Sequence, residues 1–191
     1  MIHQNHQLKT NNKMTDRFLK AMPYIFEHEG GYNDIKQDSG GATNFGISLS
    51  LLKSLGTAGD INHDGHVDWI DIKTLDKEHA EIIYYNNFWK PYNETLTERL
   101  SIKIFDTGVN TGIPRSVKLL QTALNACGSN IPTDGLIGPT TLAETAKYDE
   151  TTLLTQYCKA QMTFYDEIVT KNPDQKKFII GWHNRSLWTP N

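Results

Sequence analysis

The sequence contains little cysteine, no long apolar run and no strong excess of either charge. Its two cysteines, Cys127 and Cys158, occupy apolar positions in segments that we predict to be helical, so we expect buried thiols in a reducing compartment. No uninterrupted apolar run approaches the length that spans a bilayer, and we expect no stable membrane insertion. The formal net charge of -3 provides no basic surface for a nucleic acid. We therefore expect a monomeric globular protein whose partner is neither a membrane nor a nucleic acid.

The start of the chain also lacks the features of a secretory signal. The stretch MIHQNHQLKTNNKMTDRF has no hydrophobic core and no small-residue cleavage site. Residues 1–13 are polar and aperiodic, and we predict a flexible arm, with order beginning near Thr15. We expect synthesis in the cytoplasm, so that a target outside the membrane requires a separate means of release.

Apolar periodicity predicts a mainly helical protein with one small β-like insertion. Hydrophobic residues make up 38% of the 191 residues, which is ordinary for a folded domain. A glycine-rich hairpin is predicted over residues 32–47, and Pro23 is expected to kink the first helix or shift its start. The turn-rich stretch around 106–115 divides a predicted first lobe, 14–110, from a second, 111–191, although the two lobes can equally pack as one body. Helices are predicted near 15–29, 48–56, 75–89, 95–110, 114–127 and 151–170, with short ones after Gly138 and Asn172.

The stretch HEGGYNDIKQDSGGATNFGI, residues 28–47, places three polar side chains among paired glycines. Glu29 is expected in the last turn of the first helix, where the negative end of the helix dipole and an apolar wall both favour a protonated carboxyl. Glycoside hydrolysis uses such an acid to protonate the leaving oxygen. Asp38, in an open turn, is expected to stay ionised and, with Thr43, to hold a water molecule. The alternative is a solvated helix end followed by an ordinary turn.

This stretch resembles the signature of glycoside hydrolase family 108, the N-acetylmuramidases of phage and prophage lysis cassettes. The catalytic glutamate of that family lies in a Glu-Gly-Gly-Tyr element, which corresponds here to Glu29 through Tyr32. The order glutamate, aspartate, threonine also looks like the catalytic triad of phage T4-type lysozymes, with Thr43 one residue closer. The resemblance implies a lysozyme-like α+β fold with Glu29 as proton donor and Asp38 and Thr43 as its catalytic partners.

Three further motifs extend the resemblance over roughly residues 20–186. They are similar to the C-terminal peptidoglycan-binding-type segment that accompanies the family, and this segment either binds the wall or completes the fold. The resemblance implies an endolysin that cleaves the β-1,4 bond between N-acetylmuramic acid and N-acetylglucosamine. Since the start of the chain shows no secretory signal, we expect holin-dependent release. The motifs are FDTGVNTG at 105–112, DGLIGPTTL at 134–142 and GWHNR at 181–185.

Aromatic side chains near the glycine-rich stretch are candidate sugar contacts. Tyr32, Tyr85 and Trp89 are the predicted substrate-binding residues, because aromatic rings offer flat apolar faces to a polysaccharide. The alternative is that a helical stripe of aromatics such as Tyr85 and Trp89 packs into the core.

The acidic segment DINHDGHVDWID, residues 60–71, has the spacing of an EF-hand or dockerin calcium loop. Glycine at position six permits the sharp turn, and hard oxygen ligands suit calcium better than zinc. We predict a structural Ca2+ that braces the segment after the hairpin; the alternative is a polar surface loop. The predicted ligands are Asp60, Asn62, Asp64, His66 through its backbone carbonyl, Asp68 and Asp71.

Two rival functions remain at this point. A lytic transglycosylase needs one glutamate and no water, and it leaves a 1,6-anhydro end on muramic acid. A non-catalytic wall-binding or secretion-accessory protein would hold glycan in the same groove without releasing sugars. A bacterial muramidase that opens the wall for export would keep the hydrolytic chemistry.

Overall fold

The computed structural model describes residues 13–30 and 42–190. The predictions for the N-terminal arm before Lys13, and those for Tyr32 and Asp38, lie outside the described residues. The chain forms two compact units, which divide between Trp89 and Lys90.

The first unit combines helices with one short hairpin. Its buried helical stripe comes from α1, where Phe18, Met22 and Ile25 are at most 1% exposed. Strands β1 and β2 pair in antiparallel register, Thr43 opposite Ser48 and Asn44 opposite Ile47. The elements are α1 (Asp16–Glu29), β1 (Thr43–Asn44), β2 (Ile47–Ser48), α2 (Leu49–Ser54), a 3-10 turn (Gly56–Gly59), α3 (Trp69–Thr74) and α4 (Lys77–Asn87).

The described residues of the second unit form helices and 3-10 turns joined by loops, without a strand. An apolar cluster joins α5, α6 and α8 through side chains such as Leu100, Leu120, Leu124 and Tyr157. The elements are a 3-10 turn (Pro91–Glu94), α5 (Glu98–Thr111), α6 (Ile113–Ala126), α7 (Pro139–Thr145), α8 (Glu150–Lys171), a 3-10 turn (Pro173–Phe178) and α9 (Ile179–Leu187). None of the helices in the described part of the chain is long and apolar enough to cross a membrane.

The prediction of a mainly helical fold is confirmed. Helix α1 begins after Thr15, whose Oγ1 accepts from the amide of Phe18 at 3.2 Å, and it continues through Pro23 to Glu29. Pro23 therefore does not shift the start of the helix. The short helix α3 was missed, because six residues at the end of a polar loop carry too little periodicity to predict a helix.

The predicted boundary at 110–111 falls one residue before the end of α5, whereas the two compact units divide at 89–90. Leu100 and Ile104 of α5 lie in the same apolar cluster as α6 and α8. This packing places α5 in the second unit.

Candidate active site

Glu29 is the last residue of α1 and continues the buried stripe of that helix. Phe18, Met22, Ile25 and Glu29 follow one another at steps of three or four residues, so they share a face. The Glu29 side chain is half-buried. Gly30, with φ of 73°, ends the helix and donates its amide to the carbonyl of Phe26 at 3.1 Å. The rotation of α1 in the core therefore directs Glu29 toward the body of the first unit.

The β-hairpin turns over the side chain of Glu29. Its two turn residues, Phe45 and Gly46, have φ values of 51° and 76°, the combination of a type I′ turn. A methyl group on Gly46 would lie 2.6 Å from Cβ of Glu29 and 2.6 Å from Oη of Tyr84. Only glycine fits here, and the aliphatic stem of Glu29 rests directly on the turn.

Tyr84 of α4 holds this turn in place. Its hydroxyl donates to the carbonyl of Phe45 at 2.8 Å, and its side chain is 1% exposed. The ring of Phe45 packs edge-on against Phe26 of α1, with centroids 5.6 Å apart. The sequence did not predict this hydrogen bond, because Tyr84 and Phe45 are 39 residues apart.

Asn44 anchors the other side of the hairpin. Its Nδ2 donates to the carbonyls of Ile72 at 3.1 Å and Leu75 at 3.0 Å, at the end of α3, and the side chain is 8% exposed. Thr43 precedes it on β1 and is half-buried. Since side chains alternate along a strand, Thr43 projects from the opposite face to Asn44. The structure thus places Thr43 on the strand that leads into the turn above Glu29.

The two described aromatic candidates pack against the same side chain. Trp89 is 7% exposed and meets Phe18 edge-on at 5.5 Å; Tyr85 is half-buried and meets Phe18 at 4.9 Å. A buried ring offers no free face to a sugar, so the position of Trp89 favours a packing role. Tyr85 stays a predicted substrate contact.

In the acidic loop, residues 60–71, the last aspartate is fully buried. Asp71 Oδ1 accepts from the amides of Ile61 at 2.7 Å and Asn62 at 3.2 Å, and Oδ2 accepts from the amide of Asp68 at 2.8 Å. Asp68 in turn caps α3, so the pair forms a capping box. Asp71 therefore joins both ends of the acidic loop.

The other acidic side chains of the loop bind its own backbone. Asp60 accepts from the amides of Asp64 at 3.1 Å and Gly65 at 2.9 Å, and Asn62 Oδ1 accepts from the amide of Asp64 at 3.0 Å. Asp64 accepts from the amide of His66 at 2.9 Å, which lowers the pKa of Asp64. Across residues 13–30 and 42–190, no group of three or more His, Cys, Asp or Glu side chains is arranged to hold a metal ion. The donor set is nevertheless all oxygen, and Gly65, with φ of 92°, makes the turn that a calcium loop requires.

Comparison with known proteins identifies the family. The sequence model of Glycosyl hydrolase 108 matches residues 22–112, which include Glu29 and the whole hairpin. The solved structure of Brucella abortus SagA shares 30% sequence identity; the match covers 89% of this chain and 93% of that one, with a TM-score of 0.66. The chain belongs to the glycosyl hydrolase 108 family. A second model, described as a predicted peptidoglycan domain, matches residues 115–187. No curated protein matches the sequence.

Membership of this family makes the protein a peptidoglycan hydrolase of the N-acetylmuramidase type. The glycosyl hydrolase domain carries the acid candidate Glu29, and the peptidoglycan domain follows it along the chain.

Two of the motifs behind the resemblance meet in the second unit of this glycosyl hydrolase 108 protein. Arg185 donates from Nη2 to Asp106 Oδ1 at 2.8 Å and from Nε to Oδ2 at 3.1 Å, and Asp106 is fully buried. Nearby, Tyr165 stacks on Trp182 with centroids 5.0 Å apart and donates to Asn110 at 2.6 Å. The motif residues, together with Tyr165, hold α5, α8 and α9 together.

The third motif forms a braced turn. Gln121 donates to Asp134 Oδ1 at 2.7 Å and to the carbonyl of Leu136 at 2.9 Å, while it accepts from the amide of Gly135 at 2.9 Å. The hydrogen bond from Gln121 lowers the pKa of Asp134. The motif thus fixes the approach to α7.

Proposed function

We propose that Glu29 is the general acid that protonates the glycosidic oxygen between N-acetylmuramic acid and N-acetylglucosamine. The observation that supports it best is the contact of the Glu29 stem with Gly46, in a turn held by Tyr84. A general acid must be held within hydrogen-bond reach of the leaving oxygen, and this packing restricts the carboxyl to one side of the hairpin.

Asp38 and Thr43 are the proposed partners of Glu29. In this mechanism they position the water that attacks the sugar after the bond to the leaving group breaks, or they stabilise the oxocarbenium-like transition state. The family resemblance of residues 28–47 supports these roles, as does the place of Thr43 on β1 beside the turn.

The test compares Glu29→Gln with Glu27→Gln. Glu27 is exposed on the same helix, two residues away. Glu27→Gln therefore makes the same chemical change outside the site. We expect Glu29→Gln to lower the rate of peptidoglycan cleavage by about 10²–10⁴-fold, with an unchanged melting temperature, and Glu27→Gln to retain the rate. Full activity of folded Glu29→Gln would refute the assignment.

Mass spectrometry of the released sugars decides between hydrolysis and transglycosylation. Hydrated reducing ends are expected from a muramidase, whereas 1,6-anhydro ends would assign the protein to the transglycosylase mechanism. Binding to sacculi without any released sugar would favour the non-catalytic alternative.

We further propose that the acidic loop binds one structural Ca2+. The oxygen donors of Asp60, Asn62, Asp64 and Asp71, with the backbone carbonyl of His66, support this proposal. In this arrangement Asp68, at position nine, contributes through a water molecule. The ion would tie the loop to α3 and would take no part in the chemistry.

Calorimetric titration with CaCl2, with MgCl2 as the matched control, tests this site. We expect heat of binding with calcium and a lower melting temperature in EDTA. A melt unchanged by EDTA, together with no heat on titration, would contradict the proposal.

We propose an endolysin role, in which the enzyme reaches the wall after the membrane has been opened. The resemblance of residues 28–47 to the muramidases of phage and prophage lysis cassettes supports it. Expression in a bacterial host should lyse cells only when a holin is co-expressed. Lysis without a holin would instead indicate export by another route.

A further inference from the structure

The second unit contains a cavity of about 300 Å3 lined by α5, α8 and the C-terminal segment. Its apolar surface comes from Leu154 and Met162 of α8 and from Leu187 at the end of α9. Leu154 is 2% exposed, whereas Leu187 is 63% exposed, so the cavity runs from the core to solvent. Small-molecule sites occupy roughly 300–1,000 Å3, so this one accommodates a short ligand.

The C-terminal wall of the cavity is held by two cations of α5. Arg99 Nε donates to the carbonyl of Pro190 at 2.9 Å. Lys103, one turn further along α5, is fully buried, and burial lowers its pKa to about 8, which leaves it charged at neutral pH. Its ammonium group donates to three carbonyls where α9 ends, those of Arg185 (2.8 Å), Ser186 (3.0 Å) and Trp188 (2.7 Å). The wall is therefore fixed by hydrogen bonds within the unit.

The polar part of the cavity is positively charged. Arg99 and Lys159 both line it, and Lys159 is exposed and makes no ion pair with any described residue. The carboxylate of Glu150 approaches Arg99 to 3.9 Å, and among the described residues it is the one anion that pairs with either cation. The hydroxyl groups that line the cavity belong to Thr151, Thr155 and Thr189. This surface favours an anion that also accepts hydrogen bonds.

No aromatic side chain lines the cavity among the described residues. A pyranose ring is usually held by stacking on an aromatic face, since the ring presents apolar C–H groups to it. The lining instead combines aliphatic contacts, hydroxyls and cations, which suit a short peptide with small side chains and a free carboxylate.

We propose that this cavity binds the stem peptide of peptidoglycan. The peptide's free carboxylate lies against Arg99 and Lys159, and its alanine methyl groups lie against Leu154 and Met162. The inference rests on the proposed function, because it takes peptidoglycan as the substrate. It adds that the second unit recognises the peptide rather than the glycan.

Calorimetry with a soluble stem tripeptide of L-alanine, D-glutamate and a diamino acid tests the proposal on the full chain. We expect Lys159→Glu to weaken binding at least about 10-fold, since it replaces an attraction by a repulsion. Lys171→Glu is the matched control: it makes the same change at an exposed position of α8 outside the cavity. Equal affinities of the two variants, or equal binding of a peptide whose carboxylates are amidated, would overturn the proposal.

The alkylation rates of the two free thiols, Cys158 and Cys127, test where the peptide binds. Cys158 lines the cavity and is 8% exposed, whereas Cys127 is not among the lining residues. Burial raises the pKa of both thiols, so alkylation is followed at alkaline pH. Bound peptide should slow alkylation of Cys158 and leave that of Cys127 unchanged. Equal effects on both thiols, or none, would refute this location.

Failure of this inference is distinguishable from failure of the proposed function. Cleavage of glycan strands whose peptides have been removed by an amidase tests Glu29, because no peptide is present. Peptide affinity tests the cavity alone. If Glu29→Gln loses cleavage but the protein binds no stem peptide, only the inference about the cavity is overturned. If Glu29→Gln still cleaves and the protein binds the peptide, only the catalytic assignment of Glu29 is overturned.

Discussion

The hairpin turn at Phe45 and Gly46 and the acidic loop at residues 60–71 share a backbone feature. Each places a non-glycine residue in the left-handed region close to a glycine: Phe45 (φ 51°) precedes Gly46, and His63 (φ 61°) lies two residues before Gly65. Such conformations are costly for ordinary side chains and persist only when the surroundings hold them. The two segments differ in the origin of that support.

The acidic loop is held by its own side chains, whereas the hairpin turn is held by distant ones. The loop contacts of Asp60 and Asp71 span at most ten residues of sequence. Tyr84 and Asn44 connect the hairpin to residues 28 to 39 positions away. Local support forms with the segment itself, while the hairpin depends on the packing of the whole first unit. Substitutions in the two segments should therefore have different effects.

The largest effect is expected from Gly46→Ala. The added methyl group would overlap Glu29 and Tyr84, and an alanine backbone at φ of 76° is strained. We therefore expect the unfolding free energy to fall by about 3 kcal/mol and most of the activity to be lost. Gly65→Ala is the matched control, because φ is 92° but no atom lies within 4 Å of the added methyl. Gly65→Ala should lower the unfolding free energy by only about 1 kcal/mol, and the variant should retain its activity. Urea unfolding and peptidoglycan cleavage measure both variants, and equal losses would contradict the comparison.

Asp71→Ala should have the next largest effect on stability. It removes the acceptor of three backbone amides, those of Ile61, Asn62 and Asp68, and we expect a loss of about 2–3 kcal/mol. Cleavage by the folded fraction should persist, since these three hydrogen bonds lie within the acidic loop. Asp64 is exposed, so Asp64→Ala should lower the unfolding free energy by less than Asp71→Ala does. A variant at Asp71 that abolishes activity but keeps its melting temperature would show that the loop acts on the active site.

Tyr84→Phe should weaken the hairpin without a steric conflict. It removes the hydrogen bond to the carbonyl of Phe45, and the unfolding free energy should fall by about 1 kcal/mol. Because the turn is then less firmly held, kcat should fall by a larger factor than KM rises. Tyr148→Phe is the matched control, because it removes a tyrosine hydroxyl that is hydrogen-bonded to Ser129 in the second unit. Unchanged kcat in Tyr84→Phe would mean that packing alone positions the turn.

The smallest effects on stability are expected when the two left-handed residues, His63 and Phe45, are replaced by glycine. The two substitutions should change the unfolding free energy in opposite directions. His63→Gly relieves an exposed residue at φ of 61° and should raise the unfolding free energy by up to about 1 kcal/mol. Phe45→Gly relieves similar strain but removes the ring that packs on Phe26, so it should destabilise the protein. Thermal unfolding measures both, and a gain in stability for Phe45→Gly would refute the packing argument.

The residues of the candidate site differ in how far sequence could identify them. Glu29 was predicted to be the acid because a glutamate before two glycines at a helix end carries a local signal, reinforced by family resemblance. Gly46 belongs to a turn whose glycine was visible, but its contact with Glu29 and Tyr84 depends on packing across 17 to 38 positions of sequence, as the residue numbers show. Lys103 carried no signal for its role, because a lysine between two isoleucines does not show that three carbonyls at the end of α9 and just after it will surround the ammonium group.

The sequence by itself determined the helical character, the capped start of α1 at Thr15, the chemistry available at Glu29 and the spacing of the acidic loop. These properties depend on neighbouring residues, whose periodicity, capping and turn preferences act over a few positions. Only the tertiary structure decided that Tyr84 and Asn44 hold the hairpin over Glu29, that Trp89 packs inside, and that α5 belongs with α6 and α8. Those outcomes depend on contacts between distant segments, and such contacts exist only after the chain has packed.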